Sequence, residues 1–119
     1  TKINTRFFFR YNETFIFCVP RGLVRRAVGE NGKNVKKLSE IFKKRIKIIA
    51  RPRGIEDAKE FISQIISPVQ FKEIKINSNE IVVSASRQSK AALIGRNKRR
   101  LKEMQAIVRD FFKKDFKVI

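Results

Sequence analysis

A shift of 66 positions lays residues 15–42 of the chain onto residues 81–108 without a gap. An internal repeat of this length constrains the fold before any element is assigned, because two copies of one pattern read as two copies of one supersecondary unit. Phe15-Ile16-Phe17 falls on Ile81-Val82-Val83, Arg21 on Arg87, Val28-Gly29 on Ile94-Gly95, and Asn31 on Asn97. Val35, Leu38, Ile41 and Phe42 fall on Leu101, Met104, Ile107 and Val108. The 119 residues therefore divide into two small modules rather than one ordinary domain.

Each copy has the same local pattern. Residues 6–11 and 14–19 are Phe-rich and β-branched on either side of Asn12-Glu13, which predicts a hairpin. Its counterpart is 71–76 and 80–84 around Asn77-Ser78-Asn79. After Pro20, Leu23, Val24, Ala27 and Val28 recur at helical spacing. Gly29-Glu30-Asn31-Gly32 interrupts that helix, and Val35, Leu38, Ile41 and Phe42 mark the apolar face of a second one, with Lys33, Lys36 and Lys37 off that face. Residues 45–51 close the unit as a third strand. In the second copy the helices fall at 87–94 and 99–112 and the closing strand at 115–119.

Between the copies, Arg51-Pro52-Arg53-Gly54 is a short connection, followed by a helix over 55–66 with Glu56 and Asp57 near its start and Pro68 beyond its end. The fold class is thus α+β: two modules, 1–53 and 54–119, each a small three-stranded sheet covered by helices. The first module begins almost directly with its hairpin and lacks the leading helix of the second. Its sheet is expected to be partly uncovered, as in a trimmed chain or a module completed by something outside it.

Charge indicates the partner class. Twenty-nine Lys and Arg against 11 Asp and Glu give +18, a density that favours a polyanion, since each neutralised phosphate releases counterions. Residues 1–54 carry 15 basic and 3 acidic side chains and residues 55–119 carry 14 and 8, so the excess is not a detachable tail.

Catalytic chemistry has little to work with. There is no His and one cysteine, Cys18, inside a predicted strand. An intrachain disulfide, a His-based triad and an ordinary zinc ligand set are all excluded. Cys18 reads as a small buried hydrophobe in an intracellular protein. The only tight acidic cluster, Glu56-Asp57 with Glu60, sits where a helix start would use it for capping, which leaves a magnesium-dependent nuclease as the weakest reading. No catalytic residue, metal, cofactor or small-molecule substrate is expected. No apolar run approaches the roughly 18–20 residues needed to span a bilayer, and no secretory signal is visible, so a cytoplasmic location without membrane attachment is expected.

Two short helices joined by a glycine loop can hold the free N–H groups of the second helix toward a phosphate, and glycines leave no side chain between the backbone and a sugar-phosphate chain. Val28-Gly29-Glu30-Asn31-Gly32-Lys33-Asn34-Val35 matches the [IV]-G-x-x-G-x-x-[IV] core of KH domains and recurs in the second copy. The order helix, strand, strand, helix, loop, helix, strand resembles the type II KH fold. The tandem pair is similar to that of NusA, and more closely to the small archaeal NusA-like proteins, over nearly the whole chain. The resemblance implies binding of single-stranded RNA during transcription elongation, pausing or termination, with RNA polymerase as a further partner.

On this reading the RNA-binding residues are Val28, Gly29, Glu30, Asn31, Gly32, Lys33, Val35 and Lys36 in the first module. In the second they are Arg87, Lys90, Gly95, Arg96, Asn97, Lys98, Arg99 and Arg100. Val28, Val35 and the strand at 46–48 are candidates to line a groove for unstacked bases, although the same side chains suit a core equally well. The second loop departs from the pattern, with Lys98 where the second glycine belongs. Left-handed geometry would cost a lysine roughly 1–2 kcal/mol, so Lys98 is expected in an ordinary helix-start conformation. Seven basic residues and no acid lie between Ile81 and Lys102, whereas the first loop contains Glu30. The second site should attract phosphate more strongly, and the first should be the better-shaped loop. A ribosomal or ribosome-assembly KH protein binding structured ribosomal RNA is the alternative, and a duplex-DNA binder resembling a helix-turn-helix is a third reading.

Overall fold

A computed structural model of the chain describes residues 8–119, so the part of the first strand expected at Arg6 and Phe7 lies outside the described residues. The chain divides into two compact units, one ending at Arg53 and one spanning Gly54–Ile119.

In the first unit, β1 (Phe8–Tyr11) and β2 (Thr14–Val19) pair antiparallel, with Phe8 opposite Phe17 and Tyr11 opposite Thr14. Asn12 and Glu13 both have positive φ, 51° and 62°, as a two-residue turn needs if its twist is to match that of the strands. A 3-10 turn at Arg21–Leu23 leads into α1 (Val24–Val28), and α2 (Lys33–Phe42) follows the glycine loop. The two helices form the crossover that a parallel pair requires, and β3 (Arg45–Ala50) lies parallel to β2 with Phe15 opposite Ile46.

The second unit opens with a 3-10 turn at Ile55–Asp57 and α3 (Ala58–Ile66). Then come β4 (Glu73–Ile76), β5 (Glu80–Ser84), α4 (Arg87–Ile94), α5 (Arg99–Phe112) and β6 (Asp115–Val118). The two sheets have orders β1-β2-β3 and β4-β5-β6, each with one antiparallel and one parallel pair. The architecture is α+β, two KH-like modules in tandem. The expected capping role of the acidic cluster does not hold at Asp57: it occupies the N-cap position of α3 and is buried, but makes no side-chain capping hydrogen bond.

The second helix of the pair differs in length between the copies. Helix α2 has 10 residues and α5 has 14, and both end on a left-handed lysine, Lys43 at φ 55° and Lys113 at φ 58°. The extra turn shifts the correspondence beyond the helix, so that Ile41-Phe42-Lys43-Lys44 matches Phe111-Phe112-Lys113-Lys114 at the helix end.

The cores differ accordingly. In the second unit Ile81, Val83, Met104 and Val108 are sealed from solvent, as are Phe61, Ile62 and Ile65 of α3. The Phe61 ring lies 4.6 Å from Phe111 and 5.8 Å from Phe112, which ties α3 to the end of α5. In the first unit the corresponding Phe15, Phe17 and Leu38 are only half-buried, and no residue of α2 is fully buried. Phe15 stacks edge-on against Phe42 of α2 at 6.0 Å and against Phe8 at 5.4 Å, which identifies this as the helix-bearing side of the sheet. On the other side of β2, Ile16 and Cys18 are buried.

Candidate nucleic-acid interface

Each module places its loop by the same backbone device. Helix α1 ends at Gly29, whose N–H donates to the Arg25 carbonyl at 3.1 Å, and α4 ends at Gly95, whose N–H donates to the Ala91 carbonyl at 2.9 Å. Both glycines have extended ψ with positive φ, 82° and 73°, which redirects the chain out of the first helix. Space demands glycine there as well. A Cβ on Gly29 would stand 3.0 Å from the backbone N of Asn34, and one on Gly95 would stand 3.1 Å from that of Arg100. The chain passes so close to the following helix that a Cβ at either glycine would force Asn34 or Arg100 to shift.

The next residues run in parallel. Asn31 and Asn97 are left-handed at φ 56° and 57°, a region that asparagine tolerates better than most residues. Gly32 follows at φ 73°, ψ 20°, and donates to the Gly29 carbonyl at 3.1 Å. Lys98 follows at φ 59°, ψ 24°, and donates to the Gly95 carbonyl at 3.2 Å. The expectation that Lys98 takes an ordinary helix-start conformation is thus overturned: it adopts the left-handed geometry of Gly32. The reason is steric. Nothing lies within 4 Å of a Cβ built on Gly32, so a side chain at this position meets open space, and only the dihedral cost opposes it.

The side chains around the loops follow from these backbones. A shallow open depression beside the first loop is lined by Glu30, Asn31, Lys33, Lys36, Lys37 and Glu40. Its counterpart beside the second is lined by Arg96, Asn97, Arg99, Arg100 and Lys102. The first surface is therefore mixed in charge and the second wholly basic. Arg100 is less available than its neighbours, since its guanidinium donates to the Glu103 carboxylate at 3.1 Å and its side chain is largely covered. Arg87 and Lys90 lie back along α4. Eight residues at 1.5 Å each put Arg87 about 12 Å from Gly95, so it belongs to a flank rather than to the loop.

Of the residues considered for base contacts, Val28, Val35 and Ile48 are half-buried and Ile46 is buried in the sheet. Arg25 and Arg26, exposed in the last turn of α1, stand immediately before the first loop and were missed. The signal was their position, one turn ahead of Gly29. At a helix C-terminus arginines also complement the helix dipole, which gives them a purely structural explanation too. The Asn34 amide donates to the Arg26 carbonyl at 3.3 Å and links α2 back to that turn.

Away from the loops, burial pushes the Cys18 thiol up to about 12, partly offset by the Arg51 charge, so that it is a protonated core group at neutral pH. Burial also lowers the Lys47 ammonium below its ordinary value. Among the described residues no group of His, Cys, Asp and Glu is assembled to hold a metal ion, and no helix is long and apolar enough to cross a membrane.

No protein-family model matches the chain. The "Probable transcription termination protein NusA" of Methanococcus vannielii is 32% identical over 74 residues, 60% of this chain and 41% of that protein. The chain thus spans under half the length of this relative. The crystal structure of APE1850 has the same fold, with a TM-score of 0.62 and 24% identity over 91% of this chain and 79% of that one. The order of the elements and the paired glycine loops are those of two KH-like modules, and the chain is similar over part of its length to the archaeal protein of Methanococcus vannielii.

Proposed function

We propose that the chain binds single-stranded RNA through its two glycine loops, as a non-enzymatic NusA-like factor acting in transcription elongation or termination in the cytoplasm, with RNA polymerase as a further partner. The observation that carries this reading is the identical left-handed path of Asn31-Gly32 and Asn97-Lys98, each delivering the chain into a helix whose first turn is basic. A lysine held in left-handed geometry at a dihedral cost, beside Arg96 and Arg99, is consistent with a loop shaped for phosphate rather than for stability alone. The similarity to an archaeal protein named for transcription termination supports the process.

The test is charge reversal at the loops. Replacing Glu30 and Asn31 by Asp places two carboxylates at an exposed helix entry that tolerates acids, so folding survives. Affinity for an unpaired RNA oligonucleotide then falls at least several-fold, by repulsion and by occupation of the loop N–H groups. Arg96→Asp with Asn97→Asp also removes a cation and costs more. If both double variants fold and hold RNA as tightly as the parent, the loops are plain turns and the proposal fails. Competition at matched salt between unpaired RNA, structured ribosomal RNA and duplex DNA separates this function from the ribosomal and DNA-binding alternatives.

A further inference from the structure

Four cations border the depression beside the second loop, and one of them is held differently from the rest. Among the described residues Arg96, Arg99 and Lys102 have no ion-pair partner, whereas Nη1 of Arg100 donates to the Glu103 carboxylate at 3.1 Å. The stem of Arg100 is fixed as well, with its Cγ and Cβ 2.6 and 3.1 Å from where a Cβ on Gly95 would stand. In the first module the 66-residue shift puts Asn34 and Lys37 in the places of Arg100 and Glu103. Asn34 packs against Gly29 in the same way, but its amide turns back to the Arg26 carbonyl at 3.3 Å, and Lys37 lines the first depression as a further cation. Both copies fix this side chain against the first glycine of the loop, and the second copy fixes a charged one.

We propose that Glu103 is a positioning residue, which holds the Arg100 guanidinium beside the second loop so that its other edge grips one phosphodiester of unpaired RNA. This rests on the reading of that loop as an RNA site. Charge alone does not account for Glu103. From Ile81 to Lys102 the chain carries seven cations and no acid, and Glu103 is the next residue. By its field, an acid there weakens a phosphate site. What it supplies is geometry. A long cationic side chain loses rotamer freedom when it contacts a ligand, and one that is already ordered loses less. A guanidinium can be held on one side and used on the other, because its planar fork carries five N–H donors. Among the described residues only Nη1 has an acceptor, so the Nε–Nη2 edge keeps the parallel donor pair that matches two phosphate oxygens. With 20% of the Arg100 side chain exposed, this contact is small and directed, while Arg96, Arg99 and Lys102 supply attraction without direction.

The affinity of the full chain for a fluorescent oligouridine, and for a guanine-containing oligonucleotide of the same length, is measured for the parent and four variants. These are Glu103→Ala, Glu103→Gln, Arg100→Ala, and Arg100→Ala combined with Glu103→Ala. Attraction by charge alone predicts tighter binding whenever the acid is removed. Glu103→Ala is instead expected to weaken binding of both oligonucleotides by about twofold to tenfold, the cost of ordering one long side chain on contact. Glu103→Gln keeps an acceptor at the same reach and recovers that loss. In the Arg100→Ala background Glu103→Ala weakens nothing further, because the side chain it positions is gone. Alanine suits a helix interior, so α5 should melt as in the parent. A readout that needs no variant is the Arg100 Nε–H resonance of the labelled parent, which should shift as oligouridine is added. The proposal is overturned by a Glu103→Ala variant that binds as tightly as the parent or tighter, by an equal loss with and without Arg100, or by an Arg100 resonance that RNA leaves unmoved. A loss confined to the guanine-containing oligonucleotide also overturns it and assigns Arg100 to a base edge. A parent that binds no RNA, or whose binding Arg96→Asp with Asn97→Asp leaves unchanged, overturns the RNA reading of the loop itself, a result distinct from binding at the loop with no part for Glu103.

Discussion

Gly32 and Lys98 occupy the same position in their modules and share one backbone conformation, φ 73°, ψ 20° and φ 59°, ψ 24°. One module meets the left-handed requirement with the residue that adopts it freely. The other meets it with a cation. A Cβ built on Gly32 would point into open space, and Lys98 is exposed, so the cost of a side chain here is that of the left-handed dihedrals.

Lys98→Gly should therefore separate stability from binding. Relief of left-handed strain of roughly 1–2 kcal/mol is offset by the greater unfolded-state freedom of glycine, about 0.4–1 kcal/mol, so denaturant melts should show a small gain for the second module. On the reading of the loop as a phosphate site, RNA affinity should fall, and the salt dependence should lose about 0.7 in slope. A variant both more stable and tighter-binding would contradict the phosphate role of Lys98.

Gly29 and Gly32 should respond differently to alanine. At Gly32 the price is the dihedral alone, about 1 kcal/mol. At Gly29 the new Cβ would also press against Asn34, 2.9 Å from its side-chain amide and 3.0 Å from its backbone N, so Gly29→Ala should destabilise the first module by more, about 2 kcal/mol or above. Urea titrations of the two variants give the comparison, and equal losses would mean that the loop can shift away from Asn34.

Phe61→Ala should cost about 3–5 kcal/mol, because the ring is fully enclosed between α3 and the Phe111-Phe112 pair and its removal leaves a cavity. Phe42→Ala, at a half-exposed ring touching only part of its surroundings, should cost well under half of that. Thermal melts that rank the two in the reverse order would show that the Phe42 ring is enclosed in solution.

Cys18 should resist thiol reagents in the folded protein and react at once in denaturant, since the side chain is 3% exposed and held protonated by burial. The folded pKa is raised from 9.0 to about 12. The associated stability is therefore intact below pH 9 and is lost as the pH climbs from there through about 12. Cys18→Ala should remove this alkaline component from a pH series of denaturant melts.

Binding to unpaired RNA should weaken steeply with salt. If the two loops and their helices neutralise about 5–8 phosphates, the slope of log K against log salt is on the order of −3.5 to −5.5. A slope near −1 would place most of the +18 charge away from the RNA.

The repeat was written in local spacing. Apolar residues at Val35, Leu38 and Ile41 and at Leu101, Met104 and Ile107 specify helices, and Gly29 and Gly95 punctuate them, because periodicity and chain-breaking are properties of neighbouring residues. The sheets, the helix starts at Lys33 and Arg99 and the loop positions were legible for that reason. The conformation of Lys98 was not, because it depends on whether space exists around a Cβ, which only the packing of the following helix decides. Nor could spacing alone reveal that Phe111 and Phe112 lie against Phe61 while Ile41 and Phe42 stand exposed. The two helix ends are nearly alike in sequence, Ile-Phe-Lys-Lys and Phe-Phe-Lys-Lys, and what sets the second apart is a contact with Phe61, some fifty residues earlier in the chain, that local spacing does not encode.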